Sequence, residues 1–209
     1  MIGILGGTFD PVHFGHLRPA LDMQQALGLD EVRLLPCRVP PHRDAPAATP
    51  EQRLTMLRLA VHGERTLGID ERELKREGPS YMVDTMRSLR DEFGGRPIVL
   101  ILGMDAFLGL DRWHRWRELV DLCHFAVATR PGWQAPKEGE LAALVRDRRV
   151  DESSLLPAAP VGRIVFRPVT QLDISASRIR GLLRAGKSPR YLLPAAVLEY
   201  IRAVGLYQR

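Results

Sequence analysis

The sequence predicts an α/β fold built on a doubly wound parallel sheet of about five strands. Short apolar runs rich in β-branched residues alternate with longer segments whose apolar residues recur at helical spacing. The chain opens with a strand, a helix and a second strand, an order that predicts a parallel pair. With 209 residues, of which 45% are hydrophobic, the chain is long enough for one domain with a substantial core. We therefore expect a single domain over residues 1–209, with 175–209 as its C-terminal helical segment.

The opening β-α-β unit comes from the first 35 residues. Residues 2–5 form a short apolar run bounded by glycines, which predicts a buried strand. The apolar residues of 17–27 recur on one helical face and Gly28 follows them, so a helix is predicted to end there. Residues 32–35 predict the second strand. The proline-rich stretch 37–48 predicts a loop long enough to act as a lid over a substrate.

The later elements follow from capping signals and apolar runs. A capping box opens a helix, because Gln52 lies three residues after Thr49 and a proline stands at the first helical position. Residues 67–75 are expected to be extended, and Ser80 is expected to cap a helix that ends at Gly94. The remaining predictions are strands at 97–102, 125–128 and 164–166 and helices at 138–149, 175–185 and 194–205.

Composition and charge exclude several classes of protein. The sequence has no run of the roughly 18–20 apolar residues that a membrane-spanning helix needs, and its N-terminus lacks the features of a signal peptide. We therefore expect a cytoplasmic protein without a membrane partner. Cys37 and Cys123 form no C-x-x-C pair, which argues against a structural disulfide or zinc site. Residues 161–209 carry a net charge of +7, which suits an anionic partner or is a solvated basic face.

A phosphate site is predicted between the first strand and the first helix. This stretch contains Gly6, Gly7 and Thr8, followed by the spacing H-x-G-H from His13 to His16. Glycines let backbone N–H groups approach an anion, and a helix N-terminus favours negative charge. The histidines can donate hydrogen bonds to phosphate oxygens. A pair that only caps the helix is the structural alternative, and the glycine-rich context favours the phosphate site.

A second glycine-rich stretch is a misleading match. Residues 181–188 fit the P-loop pattern G-x-x-x-x-G-K-[ST]. That motif needs a strand before it and a helix that begins at its lysine. Here residues 175–180 are predicted to be helical and Pro189 follows directly, so we do not expect a P-loop.

Five ordered motifs resemble one family of enzymes. Residues 6–16 resemble the signature of the H-x-G-H nucleotidyltransferase superfamily, and 174–180 are similar to its late I-S-S-[ST]-x-[IL]-R motif. The stretches that resemble the bacterial nicotinate-nucleotide adenylyltransferases in particular are 40–43, 78–85 and 103–114. The resemblance extends over most of the chain and is weakest at 137–160. It implies a Rossmann-like nucleotidyltransferase fold.

The reaction that the resemblance implies is a step of NAD biosynthesis. Nicotinate mononucleotide and ATP, the expected partners, would give deamido-NAD and pyrophosphate. Because the attacking phosphate oxygen is already anionic, the chemistry needs positioning and charge stabilisation rather than a general base. Mg²⁺ is expected as a cofactor that arrives with the ATP phosphates, without a dedicated protein metal site. A homo-oligomer is compatible with the sequence.

The resemblance also implies which residues bind ATP. His13, His16 and Arg180 are the expected catalytic residues, with His16 on the α-phosphate that is attacked. Asp105 is expected to accept hydrogen bonds from the adenosine ribose, unless it only caps a helix. The complete set expected at the ATP site is Gly6, Gly7, Thr8, Phe9, His13, His16, Gly103, Asp105, Ser175, Ser177 and Arg180.

The mononucleotide site follows from the same resemblance. Trp113 is expected to stack on the pyridinium ring, and backbone N–H groups near Met82 and His114 are expected to hold its carboxylate. The residues expected near the mononucleotide phosphate are His42, Arg43 and Arg130. The family usually has Thr in place of Met82 and often Tyr in place of His114. Backbone contacts survive both changes, whereas a side-chain hydrogen bond from the threonine is lost.

Two kinds of alternative stay open at this point. Within the same class, the acceptor would be nicotinamide mononucleotide or phosphopantetheine, although phosphopantetheine enzymes are usually shorter and lack the tryptophan block. In a different class, the protein would bind nucleic acid through its basic C-terminal segment, with an affinity that falls steeply with salt. That alternative leaves both the glycine and the histidine motifs without a role.

Overall fold

The computed structural model describes residues 1–40, 45–129, 132 and 134–208. The described chain contains one six-stranded parallel sheet in the order β3-β2-β1-β4-β5-β6. Its strands are β1 (Ile2–Gly7), β2 (Glu31–Pro36), β3 (Leu67–Ile69), β4 (Ile98–Gly103), β5 (His124–Thr129) and β6 (Ile164–Pro168). The prediction of a doubly wound parallel sheet is confirmed.

Helices cover both faces of this sheet. The α-helices are α1 (Phe14–Leu27), α2 (Pro50–Val61), α3 (Arg72–Lys75), α4 (Met82–Phe93), α5 (Met104–Leu108), α6 (Gly139–Arg148), α7 (Ala176–Arg184) and α8 (Ala195–Ala203). Short 3₁₀ segments lie at Leu110–Arg112, Trp116–Asp121 and Ser153–Ala158. No helix in the described part of the chain is both long and apolar enough to cross a bilayer.

The additional strand comes from residues that we predicted to be merely extended. β3 pairs with β2 in a parallel register in which Val32 faces Leu67. The chain then turns into α3, because the Asp70 carboxylate accepts a hydrogen bond from the Arg72 backbone N–H at 3.1 Å. The extended prediction therefore holds for β3 alone, and the sheet has six strands rather than about five.

The helix that begins near Ser80 is capped differently from our prediction. Tyr81 occupies the N-cap position of α4 and makes no capping hydrogen bond with its side chain. The Ser80 hydroxyl instead accepts a hydrogen bond from the Arg38 backbone N–H at 3.0 Å. The prediction that Ser80 caps α4 is wrong, since this hydroxyl joins the start of α4 to the chain that leaves β2. The capping box between Thr49 and Gln52 is confirmed.

The core has two halves, one on each face of the sheet. Along β4, Val99 and Ile101 pack into one half, whereas Leu100 and Leu102 pack into the other. Helices α1, α2, α7 and α8 close the first half, and α4, α5 and α6 close the second. Each large apolar side chain buried in this way contributes about 1.5–3 kcal/mol. Trp116 belongs to the second half and is a core residue.

The strand order creates one crevice suited to a ligand. The chain runs outward from β1 to β3 and then returns to β4 beside β1, so the direction of winding reverses between β1 and β4. In open parallel sheets, ligands bind outside the carboxyl ends of the strands at this reversal. Helices α1 and α5 begin there, after β1 and β4 respectively.

The second glycine-rich stretch is not a P-loop. Residues 181–184 lie inside α7, and residues 169–175 before that helix are not in a strand. The helix ends before the lysine at 187, whereas a P-loop helix begins at its lysine. The expectation against a P-loop is confirmed.

Candidate active site

A cavity of about 1150 Å³ lies at the reversal between β1 and β4. Its walls include the carboxyl ends of β1 and β4, the loop from β1 to α1, and segments at 45–47, 80–82 and 174–177. This volume exceeds that of a typical pocket for one small molecule, which is about 300–1,000 Å³. The cavity is therefore large enough for two substrates side by side.

Every predicted site residue that the structure describes lies in the wall of this cavity. These residues are Gly6, Gly7, Thr8, Phe9, His13, His16, Met82, Gly103, Asp105, Trp113, His114, Ser175, Ser177 and Arg180. Segments that are far apart in sequence thus meet at one place. His42, Arg43 and Arg130 lie outside the described residues.

Among the described helices, α1, α4, α5 and α7 all begin at the cavity wall. Helix N-termini carry unpaired N–H groups and a partial positive charge, so each favours an anion. In the described structure, α4 and α5 have no side-chain cap, whereas Ser175 caps α7 by accepting a hydrogen bond from the Arg178 N–H. The cavity wall therefore offers backbone N–H groups to an anion, alongside the acidic side chains of Asp10, Glu73 and Asp105.

Gly6 and Gly15 allow close packing around the cavity. Gly6 lies within β1 rather than after it, and a Cβ at this position would meet Met82 Cε at 3.0 Å. A Cβ at Gly15 would lie 2.9 Å from His13 Nδ1 and 3.1 Å from the backbone oxygen of Ile174. The glycine of the H-x-G-H motif thus lets α1 begin directly against Ile174, which precedes the N-cap residue of α7.

His13 and His16 form a stacked pair at the start of α1. Their ring centroids are 3.8 Å apart, and His16 also makes a T-shaped contact with Phe9, with 5.0 Å between centroids. His13 is only 4% exposed, and its burial lowers the pKa of the imidazole to about 4. His13 is therefore neutral near pH 7 and acts as a polar group rather than as a cation.

The two buried histidines predict a loss of stability in mild acid. Burial lowers the pKa of both His13 and His124 to about 4, against about 6.5 in an unfolded chain. Between these values the unfolded chain binds protons that the folded protein does not. We therefore expect the free energy of unfolding to fall as the pH drops from 6.5 to 4, by roughly 3 kcal/mol per histidine at the lower limit.

Urea unfolding at intervals between pH 7.5 and 4 would measure this effect. The variant His124→Asn should show a shallower slope with pH than the wild type, and the exposed His62→Asn variant should keep the original slope. A wild-type free energy of unfolding that stays constant between pH 6.5 and 4.5 would contradict the prediction.

The carboxylate of Asp10 joins separate segments around the cavity. Its oxygens accept hydrogen bonds from the Ala47 N–H at 2.8 Å, the Ala48 N–H at 3.1 Å and the Tyr207 hydroxyl at 2.6 Å. Its backbone oxygen accepts from Arg180 Nη1 at 2.6 Å. Asp10 was part of the sequence motif, but we assigned it no role. In the structure it connects the loop after β1 with three other parts of the chain.

Arg53 supports the same loop from inside the protein. Its side chain is fully buried, and Nη1 donates to the backbone oxygens of Thr8 at 2.8 Å and Cys37 at 2.7 Å. Nε and Nη2 have no hydrogen-bond partner in the described structure. A sequence signal existed, because Arg53 shares a helical face with the buried residues Met56 and Leu57.

The opposite side of the cavity carries the aromatic residues. The rings of Tyr81 and His114 stack with centroids 4.3 Å apart, and Trp113 lies beside them. Glu73 is 3% exposed in the same wall, accepts a hydrogen bond from the Thr85 hydroxyl at 2.6 Å, and has its carboxyl pKa raised by burial. Sequence reasoning missed Glu73, since it falls in a segment that we predicted to be extended.

The sequence as a whole matches known proteins. Residues 4–182 match the model of the cytidylyltransferase-like family. A curated relative from Methylococcus capsulatus, a probable nicotinate-nucleotide adenylyltransferase, is 50% identical over 210 residues that cover 100% of both chains. A relative from Aeromonas hydrophila with the same description is 49% identical over 99% of this chain and 97% of its own. The chain belongs to the nicotinate-nucleotide adenylyltransferase family.

Solved structures share the fold of this adenylyltransferase family member. Nicotinic acid mononucleotide adenylyltransferase from Plasmodium falciparum, complexed with NaAD, has a TM-score of 0.70 at 17% identity, with 99% of this chain and 96% of that chain covered. A putative nicotinate-nucleotide adenylyltransferase from Vibrio parahaemolyticus has a TM-score of 0.64 at 15% identity, with 100% and 95% covered. The predicted family and the Rossmann-like nucleotidyltransferase fold are both confirmed, and the protein is a nucleotidyltransferase.

Proposed function

We propose that this protein transfers the adenylyl group of ATP to nicotinate mononucleotide, which gives deamido-NAD and pyrophosphate. The observation that carries this proposal is the set of helix N-termini at one cavity, because the reaction must hold two anionic nucleotides together. Relatives that share half of the sequence carry the corresponding name. The proposed location is the cytoplasm.

The reaction is an in-line displacement at the α-phosphorus of ATP. An oxygen of the mononucleotide phosphate forms a bond to this phosphorus while the bond to the bridging oxygen of the β-phosphate breaks. The bonding electron pair leaves with pyrophosphate, and no proton must be removed from the nucleophile. The protein therefore has to align two anions and stabilise the negative charge that grows on the leaving group.

We assign the α-phosphate to His16. Its Nδ1 lies 3.4 Å from the backbone N–H of His13, which donates to it. This contact places the proton of a neutral His16 on Nε2, the nitrogen that would donate to a phosphate oxygen. His13, held neutral by burial, would donate to the triphosphate without contributing a formal charge.

The β- and γ-phosphates would lie against the start of α7. There Ser177 and the guanidinium of Arg180 would donate hydrogen bonds, together with the backbone N–H groups of the first turn. Asp105 would accept from the adenosine ribose. A Cβ at Gly103 would meet no atom within 4 Å, so this glycine leaves open space for the adenosine beside Asp105.

Mg²⁺ fits this site as an ion carried by the ATP phosphates. Within the described residues, no three His, Cys, Asp or Glu side chains lie together as potential metal ligands. The Asp10 carboxylate is already occupied by hydrogen bonds from Ala47, Ala48 and Tyr207. Mg²⁺ would neutralise charge on the triphosphate and would be held mainly by phosphate and water oxygens.

The mononucleotide would occupy the aromatic side of the cavity. Trp113 would stack on its pyridinium ring, a contact worth about 0.5–2 kcal/mol. The nicotinate carboxylate would accept hydrogen bonds from the uncapped first turn of α4 at Met82 and from the backbone near His114. His42, Arg43 and Arg130 stay predictions for the phosphate. Because the α4 donors are backbone groups, they are available despite the methionine at position 82.

Identification of the product tests the proposal. Purified protein with ATP, Mg²⁺ and nicotinate mononucleotide should release pyrophosphate and form deamido-NAD, measured by chromatography. With both mononucleotides present at equal concentration, the acid should be adenylylated faster than the amide, since a carboxylate matches the helix N-terminus better than an amide does. The proposal would be overturned if nicotinamide mononucleotide or phosphopantetheine were adenylylated and nicotinate mononucleotide were not.

A further inference from the structure

Tyr207, near the end of the chain, contacts the loop between β1 and α1. The Tyr207 hydroxyl donates to Asp10 Oδ1 at 2.6 Å, between residues 197 positions apart. The Tyr207 side chain is 7% exposed, and burial together with the neighbouring Asp10 raises the pKa of its hydroxyl. The hydroxyl therefore stays protonated and remains a hydrogen-bond donor at any working pH.

The Asp10 carboxylate passes this constraint to a second wall of the cavity. Oδ2 accepts from the Ala47 N–H, and Oδ1 accepts from both the Ala48 N–H and Tyr207. Residues 45–47 line the cavity at the end of the predicted lid, directly before α2. The loop after β1 and this segment are thus held together by one carboxylate whose orientation the tyrosine helps to fix.

Arg180 also contacts Asp10, through the backbone oxygen of that residue. Its Nη1 donates to the Asp10 backbone oxygen and lies 3.8 Å from the carboxylate oxygen Oδ2. A rotation of the Asp10 carboxylate would therefore change the distance between its oxygens and this guanidinium, and would disturb the hydrogen bonds to Ala47 and Ala48.

We propose that Tyr207 is a positioning residue for adenylyl transfer. By fixing the Asp10 carboxylate, it keeps the loop between β1 and α1, the 45–48 segment and Arg180 in the arrangement that aligns the two substrates. The inference rests on the proposed function for its reaction. A carboxylate with several donors has one strongly preferred orientation, and the loss of one donor loosens every other group bound to it.

The Tyr207→Phe variant tests this role, because it removes the hydroxyl and keeps the ring that packs in the first half of the core. Tyr200→Phe is a control on α8, since that tyrosine is partly buried against the same half of the core and forms no hydrogen bond with Asp10. Hydrogen exchange of the Ala47 and Ala48 amides reports on the segment, and steady-state kinetics report on alignment.

We expect Tyr207→Phe to speed exchange of both amides by about tenfold and to lower kcat/KM for adenylyl transfer by about tenfold. The Kd for a non-hydrolysable ATP analogue should rise severalfold, while the midpoint of thermal unfolding shifts by only a few degrees. Tyr200→Phe should leave the exchange rates, the affinity and kcat/KM within about twofold of the wild type.

Unchanged exchange, affinity and kinetics in Tyr207→Phe would overturn the proposal. So would a lower thermal midpoint with unchanged kinetic constants, which would reduce Tyr207 to a packing residue. A loss of activity without faster exchange of Ala47 and Ala48 would show that Tyr207 does not act through Asp10. If the wild type forms no product, the proposed function fails by itself, and exchange and analogue affinity still decide the role of Tyr207.

Discussion

Substitution of His16 by alanine is expected to lower kcat by about 10²- to 10³-fold, the usual loss when one donor to a developing charge is removed. The imidazole lies in the cavity wall, stacked on His13 and in an edge contact with Phe9. On the proposed assignment, the variant loses a donor to the α-phosphate in the transition state. Single-turnover release of pyrophosphate would measure the chemical step directly.

The fold of this variant should survive. His16 lies on the surface of α1 that faces the cavity, so the loss of its aromatic contacts should cost about 1 kcal/mol and a few degrees of thermal stability. His16→Gln keeps an N–H donor and should lose less activity than His16→Ala. The exposed His62→Ala variant should retain full activity. A kcat for His16→Ala within threefold of the wild type would exclude a catalytic role.

Substitution of Arg180 by alanine should mainly weaken the interaction with ATP. Hydrogen bonds to charged groups are worth about 1.5–3 kcal/mol, which predicts a loss of roughly 10- to 150-fold in kcat/KM for ATP. The variant also leaves the backbone oxygen of Asp10 without its donor at 2.6 Å. Arg180→Lys keeps the charge but loses the planar fork, so an intermediate loss is expected.

Arg178 provides the matched control for this experiment. It lies two positions away on α7 and is exposed, outside the cavity wall. Steady-state kinetics with varied ATP should show that Arg178→Ala leaves kcat/KM unchanged, whereas Arg180→Ala raises the KM for ATP. Equal effects of the two substitutions would indicate that the general basic character of the helix matters rather than a specific contact.

Most residues that line the cavity could be predicted from the sequence, and the topology of the sheet explains part of this result. In a parallel sheet all strands end at the same edge, so motifs that follow strands become neighbours even when they are far apart in the chain. This argument predicts that residues 6–16, 103–114 and 174–180 meet, and they do. The sheet itself was predicted one strand short, because β3 has only three residues and shows no alternation that could identify it.

The contacts that support the site could not be predicted in the same way. Ser80 is a good capping residue by local preference, but the Arg38 N–H competes for its hydroxyl in the folded chain. The contact of Tyr207 with Asp10 has no local signature, since it depends on how α8 and the chain after it pack against α2. Arg53 did carry a signal, an arginine on an apolar helical face, although that pattern alone does not say which carbonyl groups it binds.

The uncapped N-termini of α4 and α5 supply hydrogen-bond donors that an amino-acid substitution does not easily remove. The N–H groups of α4 and α5 belong to the peptide backbone, which every residue except proline supplies. A side chain at a position such as Met82 can therefore be substituted while the backbone N–H donors of the first turn remain. Nor do these backbone groups titrate, so their contribution to the site does not depend on a side-chain pKa. The position of α4 depends instead on contacts such as those of Ser80 with the Arg38 N–H and of Glu73 with the Thr85 hydroxyl.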